Sequence, residues 1–276
     1  MAMTLTEFQS LADALRGEIR KVIAGQAELI DHLLIALFAR GHCLLEGPPG
    51  TAKTLLAQCL SQVTTLDFGR IQFTPDLMPG DVLGVSLFNF QTNEFRLTRG
   101  PIFTDILLAD EINRAPPKTQ SALLQAMNER AVTIDDTTHS LGHEFFVIAT
   151  QNPIEQHGTY PLPEAQLDRF LFKLIVDFPD RDAEIAILSR GTLRPVGEDA
   201  TPLTSVMTRE ALQQGHALVD AIRLDATIVQ YIVDLTRATR SDGEVLHGVS
   251  TRAAAALAGA VRARAALDGR DYALPD

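Results

Sequence analysis

Gly47-Pro48-Pro49-Gly50-Thr51-Ala52-Lys53-Thr54 sets two glycines, a lysine and a threonine at a spacing suited to holding a chain of phosphates. In such a loop the backbone N–H groups and the first turn of the following helix point at the anion. Lys53 would reach the β- and γ-phosphates, and the Thr54 hydroxyl would ligate Mg²⁺. Ala52 departs from the general pattern, which has glycine there. At the mouth of a helix alanine is expected to take the right-handed conformation, with a modest effect on loop geometry and no loss of binding. Downstream, Ile106-Leu107-Leu108-Ala109-Asp110-Glu111 is an apolar run ending in two carboxylates. Asp110 would hold Mg²⁺ through its water shell, because a hard cation takes oxygen ligands and keeps several waters. Glu111 would orient and polarise an attacking water as general base. By itself a strand ending in Asp-Glu is more often a solvated terminus; with the glycine loop upstream it reads as one site for phosphoryl transfer.

Three further residues have a chemical reading beside a plainer one. Asn152 follows the apolar run Phe145 to Thr150, where an amide could sit beside a γ-phosphate; alone, Asn152-Pro153 is an ordinary turn opener. Arg169, in Pro163-Glu164-Ala165-Gln166-Leu167-Asp168-Arg169-Phe170, could be offered to a neighbouring subunit's nucleotide, or could pair on the surface with Asp168 or Glu164. Arg252, in Ser250-Thr251-Arg252, sits where a helix begins and a cation is unfavourable for the dipole. Contact with ATP phosphates would explain it; a solvated arginine would too.

Positioning these residues requires strands that end where the loops begin. Cys43 to Glu46 is a short apolar strand running straight into the glycine loop, and Leu55, Leu56, Cys59 and Leu60 continue it as a helix. Further strands are expected at Arg70 to Phe73, Ile106 to Ala109, Phe145 to Thr150 and Leu171 to Val176, in the alternation of a parallel α/β sheet. Two helices precede them, through Phe8 to Val22 and Leu29 to Phe38. Val85 to Thr98 reads as a hairpin around Gln91-Thr92-Asn93, and Ala131 to His143 as another around Asp135-Asp136. After Phe178-Pro179-Asp180 only helices are expected, at Arg181 to Ser189, Arg209 to Val219, Asp225 to Thr239 and Thr251 to Leu267, with a loop over 191–202. The expected fold is α/β: a three-layer nucleotide-binding core over 1–179 with hairpin inserts near 85–98 and 131–143, then a small all-helical domain over 180–276.

Composition narrows the function. Among the 276 residues, 46% are hydrophobic, enough for one substantial core and a smaller companion. The 35 acidic against 24 basic residues give a net charge of −11, the wrong sign for a surface that grips nucleic acid throughout. Arg96, Arg99 and Lys118 are too few for a phosphate track. Cys43 and Cys59 lack metal-ligand or redox spacing and read as buried hydrophobes in a reducing, cytoplasmic setting. The N-terminus has no cleavable leader pattern, and the longest apolar stretch, Leu33 to Ala39, is far short of the ~20 residues of a membrane span.

These segments together resemble the AAA+ superfamily and, within it, the MoxR family, over nearly the whole chain. Val22-Ile23-Ala24-Gly25-Gln26 resembles the family's adenine-side segment, GPPGTAKT its Walker A, and LLADEINRAPPKTQSALLQAMNER its Walker B and following helix. ATQNPIEQHGTYPLPEAQLDRF is similar to the sensor 1 and arginine-finger stretch, and STRAAAALAGAVRARAALDGRDYALPD to the sensor 2 helix. The resemblance implies ATP with Mg²⁺, Gly25, Gln26 and residues 47–54 as its binders, and a homo-oligomeric ring, typically a hexamer. In such a ring Arg169 acts on a neighbour's nucleotide; Arg252 could act in cis or in trans, and Arg114 or Arg130 could share the finger role. The hairpins match the helix-2 insert and pre-sensor 1 insert, alanine at Ala52 is common, and family members continue past Asp276 with further helix. The implied function is ATP-driven remodelling or assembly of a protein client, often through a von Willebrand A domain partner. Alternatives are a nucleic-acid motor of the helix-2 insert clade, a weakly hydrolysing switch, and a chelatase-like subunit, the last weakened by the lack of clustered His or Cys ligands.

Overall fold

The computed structural model describes residues 2–153, 158–189 and 202–275. Its first helix, α1 (Leu5–Arg20), starts where the Thr4 hydroxyl accepts from the Glu7 N–H at 3.3 Å and the Glu7 carboxylate accepts from the Thr4 N–H at 2.7 Å. That reciprocal cap satisfies two donors the helix itself cannot use. Phe8, Ala12, Leu15 and Ile19 then recur on one buried stripe. α2 (Ala27–Phe38) is apolar nearly all round and is buried accordingly.

The chain continues through β1 (Cys43–Glu46), α3 (Lys53–Gln62), β2 (Phe68–Gln72), α4 (Pro79–Leu83) and the hairpin of β3 (Gly84–Asn89) and β4 (Glu94–Arg99). Next come β5 (Ile106–Asp110), α5 (Pro117–Glu129), the hairpin of β6 (Ala131–Ile134) and β7 (Thr137–Ser140), β8 (Phe146–Gln151), α6 (Glu164–Leu167) and β9 (Phe172–Ile175). Four helices follow: α7 (Arg181–Ser189), α8 (Arg209–Ala221), α9 (Ala226–Ser241) and α10 (Thr251–Leu267). The expected loop over 191–202 lies outside the described residues except for Pro202.

Five parallel strands make the central sheet in the order β2-β5-β8-β1-β9. Because strand side chains alternate, each apolar run supplies both faces. Cys43, Leu45, Ile106, Leu108, Phe146 and Ile148 enter one layer, while Leu44, Leu107, Ala109, Val147 and Ala149 enter the other. α5 covers the second layer with Leu123, Leu124 and Met127. The first layer takes α1, α2 and α3 and also Leu212 and Val219 of α8 and Ala260 to Leu267 of α10. Of the helices expected in the C-terminal part, α8 and α10 therefore share one core with the sheet. α9 builds a satellite cluster, with Ile228 and Ile232 against Leu257 and Val261 of α10. Each fully buried Leu, Ile or Phe side chain contributes about 1.5–3 kcal/mol, so this shared layer is a strong tie.

Charged pairs add a second tie at the edge away from the glycine loop. Arg209 at the start of α8 pairs with Asp105, just before β5, and reaches Asp67 at 3.4 Å. Arg40 holds Asp220 by two hydrogen bonds of 2.8–3.0 Å. The second hairpin turns at Asp135 (φ 47) and Asp136 (φ 62), two consecutive left-handed residues whose twist matches that of the flanking strands. Cys43 and Cys59 are buried free thiols; burial pushes both pKa values up, Cys59 to about 12. Among the described residues no helix is long and apolar enough to cross a membrane.

Candidate functional site

Parallel strands with matched ends bring their following loops together at the carboxyl edge of the sheet. β1 ends at Glu46 beside Gln151, and Asp110 stands opposite Gln72 of β2. The glycine loop, Asp110-Glu111 and Thr150-Gln151-Asn152 consequently line one cleft of about 530 Å³. Gly47 is required by close approach: a Cβ there would lie 2.2 Å from the Val176 carbonyl oxygen at the end of β9. Gly50 has φ 84, the left-handed region where glycine carries no penalty.

Ala52 does not take the expected right-handed conformation. It caps α3 with φ 63 and ψ 19, so the loop needs a left-handed residue at this point, and alanine supplies it at a cost of roughly 1–2 kcal/mol. The turn into the helix sets the backbone angle; the side chain must follow.

Lys53 folds back on its own loop, its Nζ donating to the carbonyls of Gly47 and Pro48 at 2.7 Å each. Burial lowers its pKa below the ordinary lysine value, while Asp110 and Glu111 pull the other way. The Thr54 hydroxyl stands 3.3 Å from an Asp110 carboxylate oxygen. A hydroxyl and a carboxylate this close form the hard-oxygen pair that Mg²⁺ prefers, so the residues fit that ion. Gln26 touches the loop through an Nε2 to Thr51 carbonyl contact of 3.5 Å, and its buried Oε1 has no hydrogen-bond partner among the described residues. An orphaned acceptor beside the loop fits a nucleotide base amine. Gly25 (φ 72) is the turn before it, packed so closely on Ala183 of α7 that a Cβ would come within 2.6 Å.

Glu111 is itself left-handed, φ 57 and ψ 48, immediately after the strand. Such strain in a non-glycine residue persists only where the surroundings hold it, and here they do. Its N–H donates to Thr150 Oγ1 at 2.9 Å, while Thr150 donates to Asp110 Oδ1 at 2.6 Å. The Glu111 carboxylate accepts from Gln72 Nε2 at 2.6 Å and pairs with Arg114 at 3.1 Å. Arg70 Nη2 donates to Asp110 Oδ2 at 2.8 Å. Three residues absent from the sequence-derived site thus hold its two carboxylates: Arg70, Gln72 and Thr150. The available signal was polar residues at strand ends, Arg70 and Gln72 alternating with apolar Ile71 and Phe73 and Thr150 closing an apolar run. Asn152 lines the cleft, as expected, with its carbonyl accepting from Asn113 Nδ2 at 3.4 Å.

Arg169 and Arg252 lie elsewhere. Both line a different cleft, with Arg40, Asn128 and Arg130 on its walls and none of residues 47–54. Neither Asp168 nor Glu164 pairs with Arg169 among the described residues; Asp168 instead accepts from the Ser250 hydroxyl at 2.7 Å. Ser250 also caps α10 by accepting from the Ala253 N–H at 3.0 Å, so one serine fixes Arg252 beside Arg169. Arg252 thus stands away from this chain's own phosphate loop. Arg130 spends its guanidinium on the carbonyls of His143 and Arg40 at 2.7 and 2.6 Å, and Arg114 is paired with Glu111.

Comparison with known proteins places the chain in a family. Residues 42–172 match the ATPase family associated with various cellular activities (AAA), and residues 237–276 match the AAA lid domain. The uncharacterised protein YeaC of Bacillus subtilis is 48% identical over 258 residues, covering 94% of this chain and 80% of that protein. Chaperone MoxR1 of Mycobacterium tuberculosis is 41% identical over 272 residues, 94% of this chain and 70% of the relative. A solved structure from Cytophaga hutchinsonii, described as a candidate ATPase, superposes with a TM-score of 0.88 at 39% identity, over 98% of this chain and 84% of that one. With the phosphate loop, the paired carboxylates, the five-stranded parallel sheet and the helical C-terminal segment, the chain is a member of the MoxR family of AAA+ ATPases.

Proposed function

We propose that the chain binds ATP with Mg²⁺ at the cleft between residues 47–54 and Asp110-Glu111, and hydrolyses it to remodel, assemble or activate a protein client. The observation that carries the reading is the Thr54 hydroxyl 3.3 Å from the Asp110 carboxylate, with Glu111 next in line at the same mouth. Backbone N–H groups of the loop bind the phosphates, and Lys53 leaves the Gly47 and Pro48 carbonyls to meet the terminal ones. Thr54 and Asp110 hold the ion; when bound, Mg²⁺ would neutralise charge on the phosphate oxygens. Glu111 orients and polarises the attacking water and takes its proton, while Asn152 sits beside the γ-phosphate and reports its presence. Gly25 and Gln26 flank the base.

Arg169 and Arg252 have no phosphate of their own to meet in this chain, because their shared cleft is lined by none of the loop residues. In our reading they face the nucleotide of an adjacent copy, Arg169 spreading charge on the transferring phosphoryl group and Arg252 joining it in trans. That requires a ring, a hexamer by analogy with the superfamily. Residues 1–179 form its α/β part and 180–276 its helical part, with the hairpins near 85–98 and 131–143 projecting as inserts. A relative named as a chaperone supports a protein client, and a von Willebrand A domain protein is the partner we expect.

The test is steady-state ATP hydrolysis against protein concentration with mass followed by light scattering. Turnover per subunit rises as assemblies form, and Arg169→Ala assembles without hydrolysing. Concentration-independent turnover that ignores Arg169 would refute the trans assignment.

A further inference from the structure

β2 presents two polar side chains to the cleft. Ile71 packs into the apolar layer below the sheet, so Arg70 and Gln72, one residue to either side, share the opposite face. Both line the cleft with Lys53 and Thr54. The Arg70 guanidinium donates to Asp110 Oδ2 at 2.8 Å and to Gln72 Oε1 at 3.1 Å. Asp110's other oxygen, Oδ1, is already taken by Thr150 at 2.6 Å. Both oxygens of the carboxylate are therefore claimed, one of them by a full positive charge. The Arg70 side chain is 46% exposed and has room to swing out, whereas the Asp110 side chain is only 9% exposed and stays.

A guanidinium seated on a buried carboxylate opposes the approach of a divalent cation to the same group, since their repulsion is weakly screened there. We propose, building on the nucleotide site assigned above, that Arg70 is a positioning residue that competes with Mg²⁺ for Asp110 and sets the metal concentration at which the site becomes competent. Arg70 preorganises the carboxylate, and arrival of the ion displaces it. The displacement reaches Glu111 as well, because Gln72 accepts from Arg70 through Oε1 while donating to Glu111 through Nε2 at 2.6 Å. Losing Arg70 loosens the amide that holds the general base. One strand thereby links metal occupancy at Asp110 to the freedom of Glu111.

The test reads binding, not turnover. A fluorescent, non-hydrolysable ATP analogue is titrated by anisotropy at stepped Mg²⁺ concentrations against the full chain. Arg70→Ala should lower the Mg²⁺ midpoint about two- to fivefold, the upper part of the range expected for releasing an ion pair with one half-exposed partner. Arg70→Gln, closer in length, keeps the comparison readable if the alanine variant melts early. Arg114→Ala removes the same charge from the neighbourhood, but from Glu111 instead of Asp110, and should shift the midpoint less than twofold. A midpoint unchanged in both Arg70 variants, or moved no further than in Arg114→Ala, overturns the proposal. If the wild-type chain binds the analogue with no dependence on Mg²⁺, the assignment of the site itself falls and the role of Arg70 with it.

Discussion

Replacing Thr150 by valine keeps shape and volume while deleting one oxygen, and that oxygen connects both carboxylates of the site. Thr150 is 1% exposed, accepts from the Glu111 N–H at 2.9 Å and donates to Asp110 at 2.6 Å. An unpaired buried N–H costs about 1–3 kcal/mol, and losing a hydrogen bond to a charged group adds roughly 1.5–3 kcal/mol at most. Asp110 keeps Arg70 and Thr54, so the second loss is partial, and we expect a total of about 2–4 kcal/mol. For a chain of this size that corresponds to a drop in Tm of roughly 3–7 °C. Glu111 also loses the bond that holds its left-handed backbone, so ATP turnover should fall at least about tenfold, equivalent to ~1.4 kcal/mol of barrier. Differential scanning calorimetry and a coupled ATPase assay on wild type, Thr150→Val and Thr150→Ser separate the causes, because serine restores the oxygen and loses only a methyl. Valine and serine variants that melt and hydrolyse alike would refute the reasoning, since the oxygen would then carry no weight.

Other outcomes follow from the same geometry. Glu111→Gln should bind nucleotide and lose nearly all turnover; retained turnover would remove Glu111 as general base. Gly47→Ala forces a Cβ to within 2.2 Å of the Val176 carbonyl, so either β9 or the loop must shift, and nucleotide affinity measured by calorimetry should drop severalfold or more. Ala52→Gly relieves a left-handed alanine and pays back part of the gain in unfolded-chain entropy, leaving a net stabilisation of about 0.5–1 kcal/mol in thermal unfolding. Acid should destabilise the fold through His42 and His216, whose burial lowers their pKa values to about 3 and about 4. The unfolded chain binds the extra protons, so stability is full above pH ~6.5 and falls toward pH 4, by up to about 1.4 kcal/mol per pH unit for each histidine. Urea midpoints between pH 7 and 4.5 should show a shallower decline in His42→Gln than in wild type.

Local chemistry was legible wherever one segment carries its own instructions. Glycine loop, apolar strand and paired acids announce themselves because each needs only neighbours in the chain, and the alternation of apolar runs with helical stripes is enough for a parallel sheet. The helix at Arg181 begins, and that of Thr251 to Leu267 begins and ends, as their patterns require, and Asp135-Asp136 makes the turn its residue types favour. Ala52 escaped because a helix-entry residue reads as right-handed until the loop's three-dimensional path is known.

Arg70 and Gln72 illustrate the other limit: on a linear reading they are two polar residues in a strand, and only the pairing of β2 with β5 sets Gln72 opposite Asp110. The same holds for α8 and α10, whose apolar stripes predict burial without naming a partner, and whose partner proves to be the layer of α1 and α2 under the sheet. Residue types and short-range spacing determine which groups can bind phosphate, metal and a proton, since those properties belong to side chains. Which of them meet, and that Arg169 and Arg252 share a cleft away from the phosphate loop, was decided by strand order and helix packing, because contacts between distant segments depend on how the whole chain closes on itself.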